Sequence, residues 1–197
     1  MELNALIRSK LRLHRKQLSS DFVSHVSDAI AQEIIQFPDF LNSTHIAYYL
    51  ADENEINPAR IIDRARELKK SLYLPVFSAQ NAIAFYPVDA TTRFKKNKIG
   101  ISEPISLEAP IDPKKLDLLL IPLVAFDVQC HRLGRGAGCY DRALQFTLHT
   151  PKESRPILIG LAYEFQKLDN IIPQAWDVLM DYVVTENGIY QHASPNQ

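Results

Sequence analysis

The sequence has few of the residues that mark several specialised classes of protein. Only two of its 197 residues are cysteine and one is tryptophan. The two cysteines, Cys130 and Cys139, are nine residues apart, and no further Cys/His pairs stand at ligand spacing, so a zinc site is excluded. So few cysteines also exclude a disulfide framework, and a reduced, cytoplasmic protein is the simplest interpretation.

Long hydrophobic runs and an excess of one charge are missing as well. The longest apolar stretch, near 116–126, is interrupted by Asp117 and Pro122, whereas a membrane-spanning helix needs about 20 apolar residues. No apolar run precedes a small-residue cleavage site at the N-terminus, so no secretory signal is expected. The net charge of −1 argues against a dedicated nucleic-acid binder. We therefore expect neither a membrane nor a nucleic acid as partner.

Positive charge is nevertheless concentrated in two places. Five basic residues lie between 8 and 16, and four lie between 93 and 98. Each cluster is expected to be a solvated face of the protein. Together they could also serve a small polyanion such as a nucleotide.

What remains is the composition of an ordinary globular chain, 46% hydrophobic and 23% charged. The length fits a single domain over residues 1–197. Apolar residues at helical spacing predict helices over residues 3–18, about 21–36, 58–70 and about 137–148. Short apolar segments predict strands over residues 44–51, 72–77, 82–88, 116–121, 156–162 and 180–185. This alternation is typical of an α/β fold, a sheet covered by helices on both faces.

Half of the six glycines lie in one segment, at positions 134, 136 and 138. A predicted strand precedes the segment and a predicted helix follows it, and ligands of α/β sheets bind beyond the carboxyl ends of strands. Alternate glycines let the backbone approach a ligand, and a helix N-terminus offers N–H groups to phosphate. Arg132 and Arg135 add charged donors. The spacing fits neither a Walker A loop nor the dinucleotide pattern, so a plain flexible turn remains an alternative.

Two stretches carry a family resemblance. Ile-Pro-Leu-Val-Ala-Phe-Asp at 121–127 and Arg-Leu-Gly-Arg-Gly-Ala-Gly-Cys-Tyr-Asp-Arg at 132–142 closely resemble the signature of the 5-formyltetrahydrofolate cyclo-ligases, also called methenyltetrahydrofolate synthetases. Weaker similarity is found at 15–19, 49–56, 100–104, 176–177 and 183–186. The resemblance implies a three-layer α/β/α sandwich with a mostly parallel central sheet. It also implies that ATP and Mg²⁺ are used to cyclise 5-formyltetrahydrofolate to 5,10-methenyltetrahydrofolate, with release of ADP and phosphate.

The resemblance also implies roles for individual residues. Arg132 and Arg135 would supply catalytic charge, and Asp141 and Asp177 would bind Mg²⁺. The folate site would contain Leu50, Glu55, Arg135 and Tyr140. The ATP site would contain Asn4, Arg8, Arg132, Leu133, Gly134, Arg135, Gly136, Ala137, Gly138, Cys139 and Tyr140.

Each role has a structural alternative. Asp141 could be an early-helix acid favoured by the helix dipole, and Asp177 a surface acid or cap. Glu55 could be a solvated loop acid and Tyr140 an ordinary core residue. Arg8 could belong to an exposed amphipathic helix.

The sequence departs from the family pattern at four positions. Leu123 stands where glycine is usual, Asn4 where lysine is usual, and Cys139 where an aromatic residue is usual. Ala137 stands where some members have lysine and many bacterial members have glycine. These departures leave an alternative function open, a catalytically weakened protein of the same fold that binds folate or nucleotide. In either case the expected partners are ATP and 5-formyltetrahydrofolate, with or without a polyglutamate tail, and the expected state is a monomer.

Overall fold

The computed structural model describes residues 2–78, 82–96, 102–105 and 109–192. Gly100 and Ile101, which contribute to the family resemblance, lie outside the described residues, as does Lys98 of the second basic cluster.

The described residues form five helices. Ser19 caps the second, because its hydroxyl accepts a hydrogen bond from the Phe22 amide at 3.2 Å. A third, short helix begins at Pro38, whose ring suits a first helical turn. The preceding helix, predicted over about 21–36, stops at Ile34. The helices are α1 Glu2–Lys16, α2 Ser20–Ile34, α3 Pro38–Asn42, α4 Ala59–Glu67 and α5 Cys139–Leu144.

The described strands number eleven, and seven of them form one sheet. They are β1 His45–Ala47, β2 Ser71–Phe77, β3 Ile83–Val88, β4 Phe94–Lys96, β5 Ser102–Pro104, β6 Leu118–Pro122, β7 Ala125–Phe126, β8 Arg132–Leu133, β9 Ile157–Leu161, β10 Tyr182–Thr185 and β11 Gly188–Gln191. The sheet order is β11-β10-β9-β6-β1-β2-β3. The five inner strands are parallel, and β3 and β11 close the edges in antiparallel pairing. The pairs β4–β5 and β7–β8 form two small antiparallel ribbons.

Two hydrophobic layers lie on opposite faces of this sheet. One packs α2 and α4 against the strands through residues such as Ile30 and Ile61. The other packs α5 against them through Leu144. Alternate residues of β6 enter different layers, Leu118 and Leu120 the first, Leu119 and Ile121 the second. Because both faces are covered, the predicted three-layer α/β/α sandwich with a mostly parallel sheet is confirmed. None of the described helices has the length and apolar character needed to cross a membrane.

Two predicted elements differ from the structure. The strand expected over 44–51 leaves the sheet after Ala47, although the Tyr48 amide still donates to the Tyr73 carbonyl at 3.0 Å. The helix expected over 137–148 begins only at Cys139, because Gly138 adopts the left-handed conformation at its N-cap. It ends at Leu144 and continues as a 3-10 turn over Gln145–His149.

Leu123 fits beside a glycine of the next strand. A Cβ atom on Gly160 of β9 would lie 2.7 Å from Leu123 Cδ2, so the missing side chain makes the space that the leucine fills. The leucine is buried, and β6 still ends at Pro122. Its carbonyl accepts hydrogen bonds from Arg15 and Gln166. The leucine at this position is therefore compatible with an ordered strand end.

Candidate functional site

Three segments meet beyond the carboxyl ends of β1 and β6. They are α1, the loop 50–57 after β1, which we call the acidic loop, and the glycine loop 134–138 between β8 and α5. Arg8 of α1 donates through Nε to the Gly134 carbonyl at 2.7 Å. From the glycine loop, Arg135 donates to Glu55 at 3.0 Å. Residues far apart in the sequence are thus brought to one place.

The glycine loop needs its glycines for both backbone and packing reasons. Gly136 has φ +107° and Gly138 has φ +62°, conformations that residues with a side chain rarely adopt. A Cβ at Gly134 would lie 3.2 Å from an Arg132 guanidinium nitrogen, closer than most real Cβ contacts. The conformation of this loop therefore depends on glycine at all three positions.

Arg132 is a buried cation whose Nε–H group has no partner among the described residues. Its Nη2 donates to Asp141 Oδ1 at 2.5 Å, and its guanidinium carbon lies 5.7 Å from the centre of the Tyr140 ring. Its Nε is buried and has no hydrogen-bond partner among the described residues. An unsatisfied buried donor costs about 1–3 kcal/mol, so an acceptor such as a phosphate oxygen would be favoured there.

Glu55 is a buried carboxylate held by two arginines. It is 5% exposed, and its Oε1 accepts from Arg135 at 3.0 Å and from Arg15 at 3.5 Å. Its Oε2 accepts from the Asp52 amide at 3.2 Å. The alternative of a solvated loop acid is therefore wrong. A buried carboxylate with fixed counter-charges is suited to bind the N–H groups of a planar ligand.

Arg135 joins the glycine loop to the acidic loop. Its Nη2 donates to Asp52 Oδ2 at 2.9 Å as well as to Glu55. Burial lowers the pKa of Arg135, but the negative charges of Glu55 and Asp52 outweigh that effect and the pKa is raised. The guanidinium is thus firmly charged where both halves of the site meet.

Tyrosines surround the acidic loop. Burial raises the pKa of Tyr140, and the negative charge of Glu55 adds to the rise. Tyr49 donates its hydroxyl to the Ile56 carbonyl at 2.6 Å, and burial holds the pKa of Tyr49 well above its usual value. Burial also raises the pKa of Tyr163 to about 12. These phenols stay neutral, so the site offers a polar but uncharged aromatic wall.

The acidic loop is fastened to α1. Arg15 is only 1% exposed and donates to the Glu53 carbonyl at 2.9 Å. Asn54 donates to the carbonyls of Arg15 and Leu18 at 3.0 and 3.1 Å, which caps the end of the helix. Arg12 and Lys16 pair with Glu53 at 2.7 and 2.9 Å. The predicted solvated face is therefore wrong for Arg15, whereas Lys10 and Lys16 of the same cluster are exposed.

The charge of Glu53 is stabilised by its neighbours on α1. Burial raises its pKa, but hydrogen bonds from Lys16 and Arg12 prevail and lower the pKa to about 2. Glu53 and Asn54 both have positive φ angles, 49° and 56°. Sequence analysis missed Asp52, Glu53, Asn54 and the role of Arg15. The one available signal was an acidic, asparagine-containing loop opposite a basic helix.

An open groove of about 510 Å³ runs along α1 to the glycine loop. Its lining is strongly basic and consists of Ala5, Arg8, Ser9, Arg12, Leu13, Lys16 and Arg135. Asn4 is exposed on the same helix, one turn before Arg8. Leu50 is 37% exposed at the start of the acidic loop. Ala137 is exposed and Cys139 is half-buried at the first position of α5.

Asp141 and Asp177 occupy neighbouring segments. Asp141 Oδ1 accepts from Arg132 and from the Val178 amide at 3.2 Å, which brings the segment of Asp177 to it. Asp177 Oδ2 accepts from the Gln174 amide at 2.8 Å. The described part of the chain contains no group of three or more His, Cys, Asp or Glu side chains placed to hold a metal. Any cation here would need further ligands from water or a bound phosphate.

Comparisons with known proteins identify the family of the chain. A model of the 5-formyltetrahydrofolate cyclo-ligase family matches residues 1–186. The chain is 31% identical to the 5-formyltetrahydrofolate cyclo-ligase of Haemophilus influenzae over 182 residues, which cover 90% of this chain and 95% of the relative. It is 32% identical to that of Mycoplasma pneumoniae over 194 residues, which cover 94% and 99% of the two chains.

A solved structure shows the same fold. The NMR structure of Aquifex aeolicus 5,10-methenyltetrahydrofolate synthetase superposes with a TM-score of 0.83 at 28% identity, covering 99% of this chain and 95% of the other. The signature around the glycine loop, the match over nearly the whole chain and the shared fold lead to one conclusion. The chain belongs to the 5-formyltetrahydrofolate cyclo-ligase family.

Proposed function

We propose that the chain catalyses the ATP-dependent cyclisation of 5-formyltetrahydrofolate to 5,10-methenyltetrahydrofolate. One observation carries this proposal. The glycine loop contacts the buried carboxylate Glu55 through Arg135 at 3.0 Å. A phosphate-binding loop next to a carboxylate suited to a pterin is what a reaction between ATP and folate requires.

ATP phosphates would bind at the glycine loop. The unpartnered Nε of Arg132 fits a phosphate oxygen, and Gly134, Gly136 and Gly138 let the backbone approach it. Arg8 is already tied to the loop through the Gly134 carbonyl. The basic groove along α1 would hold the rest of the nucleotide.

The folate would bind on the acidic side of the site. Glu55 would accept hydrogen bonds from the pterin N–H groups, and the Tyr140 ring would stack on a planar part of the substrate. Leu50 would cover its apolar edge. Arg135, which bonds to Glu55 from the glycine loop, would lie between the two substrates, where negative charge develops during phosphoryl transfer.

The reaction needs no covalent enzyme intermediate. The formyl oxygen attacks the γ-phosphorus, the bond to the bridging oxygen breaks, and ADP leaves. N10 of the folate then attacks the activated carbon, the carbon–oxygen bond to phosphate breaks, and N10 loses its proton. Arg132 and Arg135 orient the phosphates and stabilise their charge, which is where catalysis of such transfers mainly originates.

Mg²⁺ is part of the proposal, with Asp141 and Asp177 as its protein ligands. Among the described residues, the hydrogen bonds to Asp141 converge on Oδ1 and the one to Asp177 on Oδ2, so each side chain keeps one oxygen for a cation. Two carboxylates fit an ion that keeps water and phosphate ligands. When bound, Mg²⁺ would neutralise phosphate charge.

The test is the absorbance of methenyltetrahydrofolate formed by purified protein from 5-formyltetrahydrofolate and Mg-ATP. Wild type should form product only with ATP. Arg132→Met should lose most of the activity, whereas Arg60→Met, a change at an exposed arginine of α4, should retain it. Folded protein that binds both substrates without forming product would overturn the proposal and favour the weakened binding protein.

We also propose that the protein acts as a cytoplasmic monomer. Burial raises the pKa of the Cys130 thiol to about 12, which keeps it unreactive, and both cysteines are free. A net charge of −1 supports a small-molecule rather than a nucleic-acid partner. Light scattering on the eluted protein should give the mass of one chain. A polyglutamate tail on the folate would find counter-charge in the basic groove, which a comparison of mono- and polyglutamylated substrate would test.

A further inference from the structure

Arg135 is assigned to phosphate by the proposed function, but in this structure it donates to two carboxylates instead. A single nitrogen, Nη2, donates to both Asp52 Oδ2 at 2.9 Å and Glu55 Oε1 at 3.0 Å. In this arrangement the guanidinium occupies Oε1 of Glu55, one of the two oxygens of the carboxylate that the proposed function assigns to the N–H groups of a pterin. One cation therefore links the two substrate sites, and it can serve only one of them fully at a time.

The neighbours of Arg135 allow it to leave. The Arg135 and Asp52 side chains are 38% and 51% exposed, so solvent screens their ion pair and breaking it costs little free energy. Glu55 is buried, but Arg15 stays beside it at 3.5 Å and is itself fixed by the Glu53 and Leu123 carbonyls. If Arg135 turns away, the buried carboxylate keeps a counter-charge, and the cost of stranding it is avoided.

We propose that Arg135 exchanges partners during substrate binding and that Asp52 controls the exchange. The inference rests on the proposed function. Nucleotide phosphates draw Arg135 off the acidic loop, which uncovers Glu55 for the folate. Asp52 is a positioning residue here, because it acts through Arg135 and sets how strongly the resting arrangement is favoured.

The exchange makes the two substrates bind cooperatively. Each binds best when Arg135 has left Glu55, so each lowers the dissociation constant of the other. By linkage the two effects must be equal in size. The apparent association constant of either substrate alone is the intrinsic constant multiplied by the fraction of molecules in which Arg135 has already left Glu55. Weakening the resting arrangement should therefore tighten single-substrate binding and reduce the coupling.

Asp52→Asn tests this, with Asp28→Asn as a matched control. Asp28 also pairs with an arginine, Arg60 at 3.4 Å, and the two side chains are 50% and 51% exposed, but this pair joins α2 to α4 and does not include Arg135 or Glu55. Calorimetry would give the dissociation constants of 5-formyltetrahydrofolate and of the Mg²⁺ complex of a non-hydrolysable imido analogue of ATP. Each would be measured alone and with the other at saturation.

In wild type each ligand should tighten the other by the same factor. Asp52→Asn should tighten each ligand alone by about 1.5- to fivefold, the range of an exposed ion pair, and reduce the coupling factor correspondingly. Asp28→Asn should change neither the single-ligand dissociation constants nor the coupling factor. The coupling factor decides, because the loss of a negative charge alone would alter the single affinities and leave the coupling unchanged.

The exchange is overturned if the coupling factor of Asp52→Asn equals that of wild type, or if wild type shows none. This failure is distinct from failure of the proposed function, which the product assay tests separately. Product formation with unchanged coupling in Asp52→Asn rejects the exchange alone. The expected coupling without product rejects only the cyclisation. Absence of binding by both ligands rejects both.

Discussion

Gly136 shows how one backbone angle can shape the glycine loop. Its φ of +107° is strained for any residue with a side chain, and a Cβ there would lie 3.7 Å from the guanidinium carbon of Arg8, an ordinary contact. Gly136→Ala should therefore act through the backbone, costing about 1–2 kcal/mol of stability and raising the KM for ATP about tenfold or more. Initial rates at varied ATP and urea unfolding measure the two effects.

Gly188 is the matched control for this change. It has φ +143° at the first residue of β11, and no described atom lies within 4 Å of a Cβ built there. Gly188→Ala should lose similar stability but keep the wild-type KM for ATP. Equal KM effects of the two variants would contradict a phosphate-binding role for the glycine loop.

Glu55→Gln should separate the two substrates. The amide keeps the size of the side chain but removes the charge that faces Arg15 and Arg135. We expect the KM for folate to rise at least about tenfold and the KM for ATP to change less than about threefold, since charge-assisted hydrogen bonds to the pterin are lost. Glu67→Gln, at an exposed ion pair on α4, should behave as wild type. Equal effects on the KM values of both substrates would contradict the assignment of Glu55 to the folate site.

At the scale of elements, the fastening of α1 to the acidic loop predicts a pH effect. Because the folded-state pKa of Glu53 is lowered to about 2, the interaction stabilises the protein above the unfolded pKa of about 4.5 and is lost as pH falls toward 2. Screening by solvent leaves about 1–2 kcal/mol of this contribution. Between pH 5 and 2, the unfolding free energy of Glu53→Gln should therefore fall less than that of wild type. Urea titration at each pH measures this free energy.

Glu33→Gln, an exposed change on α2, serves as control for that profile. Its loss of stability with acid should follow that of wild type. A Glu53→Gln profile parallel to wild type would mean that Arg12 and Lys16 do not stabilise the charge of Glu53 in solution.

Strands buried on both faces were the elements best predicted from the sequence. The strands expected over 116–121 and 156–162 match β6 and β9 to within about two residues, because burial on both faces produces a continuous apolar run. The segment 44–51 was overestimated for the same reason. Tyr48 and Tyr49 are as buried as strand residues although the chain has already left the sheet. An apolar run reports burial, not strand pairing.

The remaining misses concern elements without periodicity and contacts between distant segments. Two-residue strands such as β7 and β8 give no repeat to detect. The glycine loop and Glu55 were found through their local pattern and the family resemblance. The pairing of Asp52 with Arg135 joins positions 83 residues apart, and local patterns do not report such a contact.

For the whole molecule, we expect one cooperative unit. The strands β6 and β9 contribute side chains to both hydrophobic layers, so neither layer should unfold without the other. Far-UV and near-UV circular dichroism should give one coincident thermal transition. Either substrate at about 100 times its Kd should raise the unfolding free energy by about 2.7 kcal/mol. Two separate transitions would contradict the single domain.

The hydrogen bond between Arg8 and Gly134 spans 126 residues of sequence. At about 5–20 residues added per second, a ribosome finishes the glycine loop roughly 6 to 25 s after α1 is made. α1 must therefore wait until the glycine loop has been made before it can dock there. Chains that stop short of the loop can expose the basic residues of α1 but cannot form the contact between α1 and the glycine loop.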